Sequence, residues 1–166
     1  VGHEGGIERV TPLPYAFLER EAEIAEALST LAAAPSLALD LEADSLHSYR
    51  EQVCLVQVSS PQRTVVLDPL AGPAALDGLG PLLADAAVLK IVHGGDYDVR
   101  LLKKERSFVV RNLFDTMIAA QFTGRERFGL AALLEEHFGV LLDKRFQRAD
   151  WSRRPLNAAL LRYAAN

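Results

Sequence analysis

The chain has one cysteine, one methionine and one tryptophan, and it has no apolar run long enough to cross a bilayer. Each scarcity excludes something. A lone thiol, Cys54, permits neither an internal disulfide nor a cysteine-based metal cage. It sits in the apolar run VCLVQV, which reads as a small buried hydrophobe. A transmembrane helix needs about 20 consecutive apolar residues. The opening segment VGHEGGIERV also lacks the basic and apolar regions of a signal peptide. No membrane partner and a cytoplasmic location are therefore expected. No internal repeat, low-complexity tract or linker divides the chain.

What is present is a globular composition, 49% hydrophobic and 24% charged over 166 residues, the size of one domain. The net charge of −4 conceals an asymmetry. Residues 1–83 hold 4 Lys/Arg against 12 Asp/Glu, and residues 84–166 hold 14 against 10, so the halves carry −8 and +4. Two readings fit: scattered solvated charge, or an acidic site apposed to a basic surface, which suits metal-assisted chemistry on a polyanion.

The periodicities predict an α/β domain. FLEREAEIAEALSTLAAA, Phe17 to Ala34, reads as an amphipathic helix stopped before Pro35. Three strands follow at Leu37–Ala43, Val53–Ser59 and Thr64–Asp68, the last two joined by the turn residues SPQ, and they are expected to form an antiparallel meander. A short helix is predicted over Ala74–Leu83. The run VLKIVH then reads as a buried strand parallel to the first of the meander. Helices are expected at Tyr97–Glu105, Asp115–Thr123 and Leu130–Phe138, with a brief strand at Phe108–Val110. A final helix is expected to open near Pro155, whose φ suits a first turn, and to run to the end of the chain.

Several residues could carry chemistry. Asp40 and Glu42 in LALDLEA lie two apart on a strand and therefore project from one face. They fit either a solvent-facing strand end or a pair of oxygen ligands for Mg²⁺ or Mn²⁺. HGGDYDVRLL follows the buried strand at its carboxyl end, the edge where α/β sheets most often bind ligands. Asp98 there could complete such a site. Asp96 reads better as a helix-start residue favoured by the dipole, and His93 as a packed strand end. KRFQRADWSRRPL gathers Lys144, Arg145, Arg148, Arg153 and Arg154 within eleven residues, interleaved with Phe146 and Trp151. Such a loop can hold phosphates and stack on bases, or Trp151 can simply anchor it to the core. Tyr163 in the last helix could orient a water or serve packing.

Five segments in order, DLE at 40–42, HGGDYDVRLL, LFDT at 113–116, ADWSRRPL at 149–156 and LLRYAAN, together resemble the ribonuclease D family of tyrosine-type 3′–5′ exonucleases, including its nuclear exosome branch. The resemblance runs from about Leu37 to the last residue. It implies a ribonuclease H-like α/β fold: a mixed sheet, with an antiparallel three-strand meander plus parallel strands, flanked by helices. It also implies two divalent cations, Mg²⁺ or Mn²⁺, and removal of nucleotides from the single-stranded 3′ end of RNA. DNA is the alternative substrate, and a non-catalytic RNA-binding module the alternative role.

By the same resemblance Asp40, Glu42 and Asp98 are metal ligands and Tyr163 is the motif tyrosine. A fourth acid belongs four residues after it, immediately beyond Asn166. The 166 residues are thus expected to form a single exonuclease domain cut short within its last helix and nearly inactive as it stands. No helical RNA-binding domain is expected within it. Ala43 stands where nuclear relatives often have histidine, and Phe128 precedes Gly129-Leu130 where they have histidine before Ser-Leu. Leu101 falls where a bulky side chain packs on a base, and Lys144 matches a lysine near the terminal nucleotide. With Arg145 and Arg148, the residues Ala43, Leu101 and Lys144 make up the expected substrate contacts.

Overall fold

The computed structural model describes residues 14–72 and 76–165. Its centre is a six-stranded sheet. The strands are β1 (Tyr15–Leu18), β2 (Ser36–Ala43), β3 (Val53–Ser59), β4 (Thr64–Leu67), β5 (Leu89–Val92) and β6 (Leu113–Asp115). The helices are α1 (Glu21–Leu31), α2 (Leu79–Ala84), α3 (Asp96–Arg106), α4 (Thr116–Phe122), α5 (Leu130–Phe138) and α6 (Ala158–Ala164). Across the sheet the order is β1-β4-β3-β2-β5-β6. The expected meander is present, with β2, β3 and β4 pairing antiparallel, while β5 runs parallel to β2.

β3 and β4 lie between neighbours and are buried along nearly their whole length, which is why VCLVQVS and TVVL read as unbroken apolar, β-branched runs. One face of the sheet carries Leu37, Leu39, Leu41, Val56, Val58 and Val65 against the apolar sides of α1, α2 and α3. The other face carries a smaller cluster in which Leu55 and Val66 meet Trp151 and residues of α6. Strand alternation sends Leu39 and Leu41 into the first core, so Asp40 and Glu42 must face the second. Directly after Glu42 the β2–β3 register shifts: Glu42 pairs with Leu55, and Ala43 with Val53. Such a bulge ends the regular ladder and bends the strand at the point where the acidic pair sits.

Four expectations are corrected. Phe17 and Leu18 are strand, not helix, because they pair in parallel with Val66 and Leu67; α1 therefore starts only at Glu21. The brief strand is at Leu113–Asp115 beside β5, whereas Phe108 and Val110 pack their side chains on the core without strand pairing. The last helix opens at Ala158, not Pro155. Asn157 caps it, its side chain accepting from the N–H groups of Ala159 and Leu160, and Pro155 follows a cis peptide bond. The short helix is confined to Leu79–Ala84, and Ala74 lies outside the described residues, as do VGHEGGIERV and Asn166. No helix among the described residues is long and apolar enough to cross a membrane.

Candidate active site

Two elements converge on the face of β2 that holds Asp40 and Glu42. The first is the turn from β5 into α3. Gly94 adopts φ +69, the left-handed region that favours glycine, and a Cβ on Gly95 would lie 2.7 Å from Cγ2 of Val92. This tight turn starts α3 at Asp96 and puts Asp98 in its first turn. Asp115 holds the turn in place: its carboxylate accepts from the N–H groups of Gly94 (2.9 Å) and Gly95 (3.0 Å) and also caps α4 through Met117 and Ile118. Burial works against its charge, but these four donors outweigh that and hold the Asp115 carboxyl below the usual range. The sequence reading missed this role, although an Asp immediately before a helix in LFDT is a capping signal.

The carboxylates at the centre have the opposite character. Desolvation by the surrounding protein, augmented by the charges of Asp40 and Asp98, pushes Glu42 up to about 8. Asp98 is pushed up to about 7, first by desolvation and then by Asp40 and Asp115. Asp40 is also raised by desolvation, partly offset by the backbone N–H of Leu41. It remains open to solvent, so crowding around a concave site, rather than full enclosure, is the cause. The three acids thus feel one another as like charges across β2 and α3. Asp96, two residues from Asp98, faces away: its side chain is 77% exposed and paired with Arg100 at 2.7 Å.

Tyr163 approaches from α6. Its ring packs edge-on to Phe146, at a centroid distance of 5.8 Å, and at a tilt to Trp151, at 5.9 Å. Desolvation and then the charge of Glu42, with Asp143 and Asp40 behind it, raise the phenol above its ordinary value. The hydroxyl accordingly keeps its proton and can donate a hydrogen bond into the acidic site. Beside the carboxylates lies a pocket of about 170 Å³ whose wall includes Glu42, Ala43, Asp98, Gln147 and Trp151. Ala43 contributes a small side chain to that wall. A second, larger cavity of about 380 Å³ is lined by Glu51, Tyr97, Arg100, Leu101 and Lys104.

The expected substrate contacts divide. Leu101 is 2% exposed and belongs to the main core, so it offers only an edge to the second cavity. Arg145 is engaged with Asp143 through several guanidinium hydrogen bonds, Arg153 with Asp150, and Arg154 with the fully buried Asp68. Lys144 and Arg148 are exposed and have no ion pair among the described residues. Trp151, 2% exposed, anchors the basic loop to the second core, and Cys54 is buried, its thiol pushed up to about 12 first by desolvation. His93 donates or accepts at Nδ1 to Thr116 Oγ1 (2.9 Å) as a packed strand-end residue.

As the side chains stand, no group of three or more His, Cys, Asp or Glu among the described residues is placed to hold a metal ion. The donor chemistry nonetheless suits one. Asp40, Glu42 and Asp98 supply only carboxylate oxygens, the ligands hard divalent cations prefer, and each carboxyl is raised in a way that nearby positive charge would relieve.

Residues 15–166 match the model of a family described as 3′-5′ exonuclease. Among curated proteins, the exosome complex component 10 homolog of Drosophila melanogaster is 36% identical over 142 residues, covering 86% of this chain and 16% of the relative. Among solved structures, the catalytic core of RRP6 from Trypanosoma brucei superposes with a TM-score of 0.86 at 31% identity, over 91% of this chain and 42% of that one. RNase D from Escherichia coli, described as an exoribonuclease involved in structured RNA processing, gives a TM-score of 0.84 at 31% identity, over 92% and 41%. The chain therefore spans about a sixth of the curated relative and about two fifths of the solved chains. With the acidic residues on β2 and α3, the α6 tyrosine and the six-stranded mixed sheet in place, the chain belongs to the 3′–5′ exonuclease family of the RNase D and RRP6 type.

Proposed function

We propose that the chain is the catalytic domain of a 3′–5′ exoribonuclease that hydrolyses RNA from a free 3′ end with the help of divalent cations. The observation that carries the reading is the convergence of Asp40, Glu42 and Asp98 on one edge of the sheet, where desolvation first and like-charge repulsion second lift Glu42 to about 8 and Asp98 to about 7. Carboxylates brought together at this cost are a functional signature. When bound, divalent cations clamp the scissile phosphate and lower the pKa of an attacking water. Asp40 and Glu42 would hold them from β2, and Asp98 from α3. Tyr163, which retains its proton, donates a hydrogen bond that orients the attacking oxygen. Lys144 and Arg148 attract the phosphates of the incoming strand, and the pocket beside Ala43 and Trp151 receives the terminal nucleotide. RNA rather than DNA is proposed because the RNase D relative is named for RNA processing.

Matched 5′-labelled RNA and DNA oligonucleotides, incubated with the full-length protein in Mg²⁺ or Mn²⁺ and in excess chelator, test the proposal. The expected result is stepwise shortening of RNA with release of 5′ mononucleotides, abolished by chelator. Internal cuts, metal-independent activity or a clear preference for DNA would overturn it.

A stability measurement checks the metal reading without substrate. Glu42 and Asp98 have ordinary values of 4.5 and 3.8 and folded-state values of about 8 and about 7. Their folded forms bind protons more tightly than the unfolded chain does, so the metal-free protein loses stability as pH rises from about 4 to 8. A cation takes the place of the protons. The gain in Tm on adding Mn²⁺ should therefore be larger at pH 8 than at pH 5.5; an equal gain at both would show that these carboxyls are not the ligands.

A further inference from the structure

Gln57 is the one polar side chain in the buried body of β3. It is 6% exposed, and neither Nε2 nor Oε1 has a hydrogen-bond partner among the described residues. Burying an amide with both ends unsatisfied is costly, because the desolvation of its donor and acceptor is not repaid. Valine or leucine would fit the same run, VCLVQV, without that cost. The register shows where this amide lies: Gln57 pairs with Asp40 of β2 on one side and with Val66 of β4 on the other.

Residues directly opposite each other on antiparallel strands project from the same face, with Cβ atoms about 5 Å apart. The Gln57 side chain therefore stands beside Asp40, on the sheet face where Leu160, Tyr163 and Ala164 of α6 pack against the cluster of Leu55 and Val66. The backbone N–H of Leu41 donates to the Asp40 carboxylate. A carboxylate offers about four lone-pair sites, so one that holds a cation through one oxygen still has room for a donor on the other.

We infer that Gln57 is a positioning residue for Asp40: its Nε2 donates to the Asp40 carboxylate when that carboxylate binds a divalent cation, fixing the ligand's rotamer and offsetting its charge. The inference rests on the proposed metal site. Groups that orient a metal ligand in this way typically contribute ten- to hundredfold to metal affinity. A merely structural glutamine would contribute to the fold in the absence of metal instead.

Gln57→Met keeps the length and burial of the side chain and removes the donor. Mn²⁺ binding followed by electron paramagnetic resonance is expected to weaken about tenfold or more, while the Tm in chelator stays unchanged or rises because an unsatisfied amide has been removed. Undiminished Mn²⁺ affinity in Gln57→Met, with the unmodified chain binding normally, would overturn the role of Gln57 alone. No Mn²⁺ binding by the unmodified chain would overturn the metal reading and this role with it. Should Gln57→Met fail to fold, the unmodified chain still decides: Mg²⁺ titration should shift the Gln57 side-chain amide resonances in ¹⁵N spectra, and an unmoved pair would refute the inference.

Discussion

Asp98→Asn is expected to slow RNA hydrolysis by the full-length protein by on the order of a thousandfold, about 4 kcal/mol at the transition state. The amide keeps the shape of the side chain and deletes the charge that would hold a cation between β2 and α3. The fold should not suffer. Asp98 is pushed up by desolvation, Asp40 and Asp115, so neutralising it relieves repulsion, and Tm in chelator should stay level or rise. Asp96→Asn is the control. Its carboxylate is exposed and paired with Arg100, so its loss should change the rate by less than about threefold. Single-turnover rates and Mn²⁺ affinity for both variants discriminate, and comparable losses from the two would show that the wrong aspartate of DYD has been assigned.

The largest expected effect on stability comes from Arg154, not from the core. Its guanidinium donates to both oxygens of Asp68, Nε to Oδ2 at 2.6 Å and Nη2 to Oδ1 at 2.7 Å, and also to the carbonyls of Cys54 and Trp151. Asp68 is fully buried at the end of β4. Replacing Arg154 by methionine preserves much of the apolar stem but leaves the Asp68 charge uncompensated, which typically costs about 3–5 kcal/mol when a buried pair loses one partner. The basic loop should also loosen, because this arginine ties it to the β3–β4 end of the sheet across 86 residues of sequence. Urea unfolding should show the loss as a lowered midpoint with an unchanged slope. The double variant Asp68→Asn/Arg154→Met should recover much of it, since the unpaired charge is then gone. A destabilisation below about 1 kcal/mol for the single variant would mean that the pair behaves like a surface contact.

This arginine shows where reading along the chain stopped short. In sequence, Arg145, Arg148, Arg153 and Arg154 look alike, and all suit a phosphate-binding loop. Three of them are engaged by Asp143, Asp150 and Asp68. The first two acids are neighbours in the chain and could have been suspected; Asp68 could not. Gln57 is similar: a polar residue in VCLVQV is visible as an oddity, but its place opposite Asp40 depends on the β2–β3 register. Leu101 falls within the helix that carries Asp98, yet its place in the core becomes evident only when α3 is laid against the sheet.

Local pattern was enough for the meander, the parallel strand β5, the helices α3 and α5, and the shared face of Asp40 and Glu42. Each of these rests on a period of two or of about 3.6 residues, or on an unbroken apolar run, and such signals lie within a few residues of chain. The ordered motifs likewise carried the family. Tertiary contact settled the rest. Tyr15–Leu18 is a strand because β4 offers it a parallel edge, a pairing across about fifty residues that overrides the helical look of Phe17 and Leu18. β6 forms at Leu113–Asp115, beside β5, and the capping side chain of Asp115 reaches back to the glycines of the β5–α3 turn. The elevated Glu42 and Asp98 carboxyls arise the same way, since desolvation and mutual repulsion require β2, α3 and α6 to be assembled before the charges can meet.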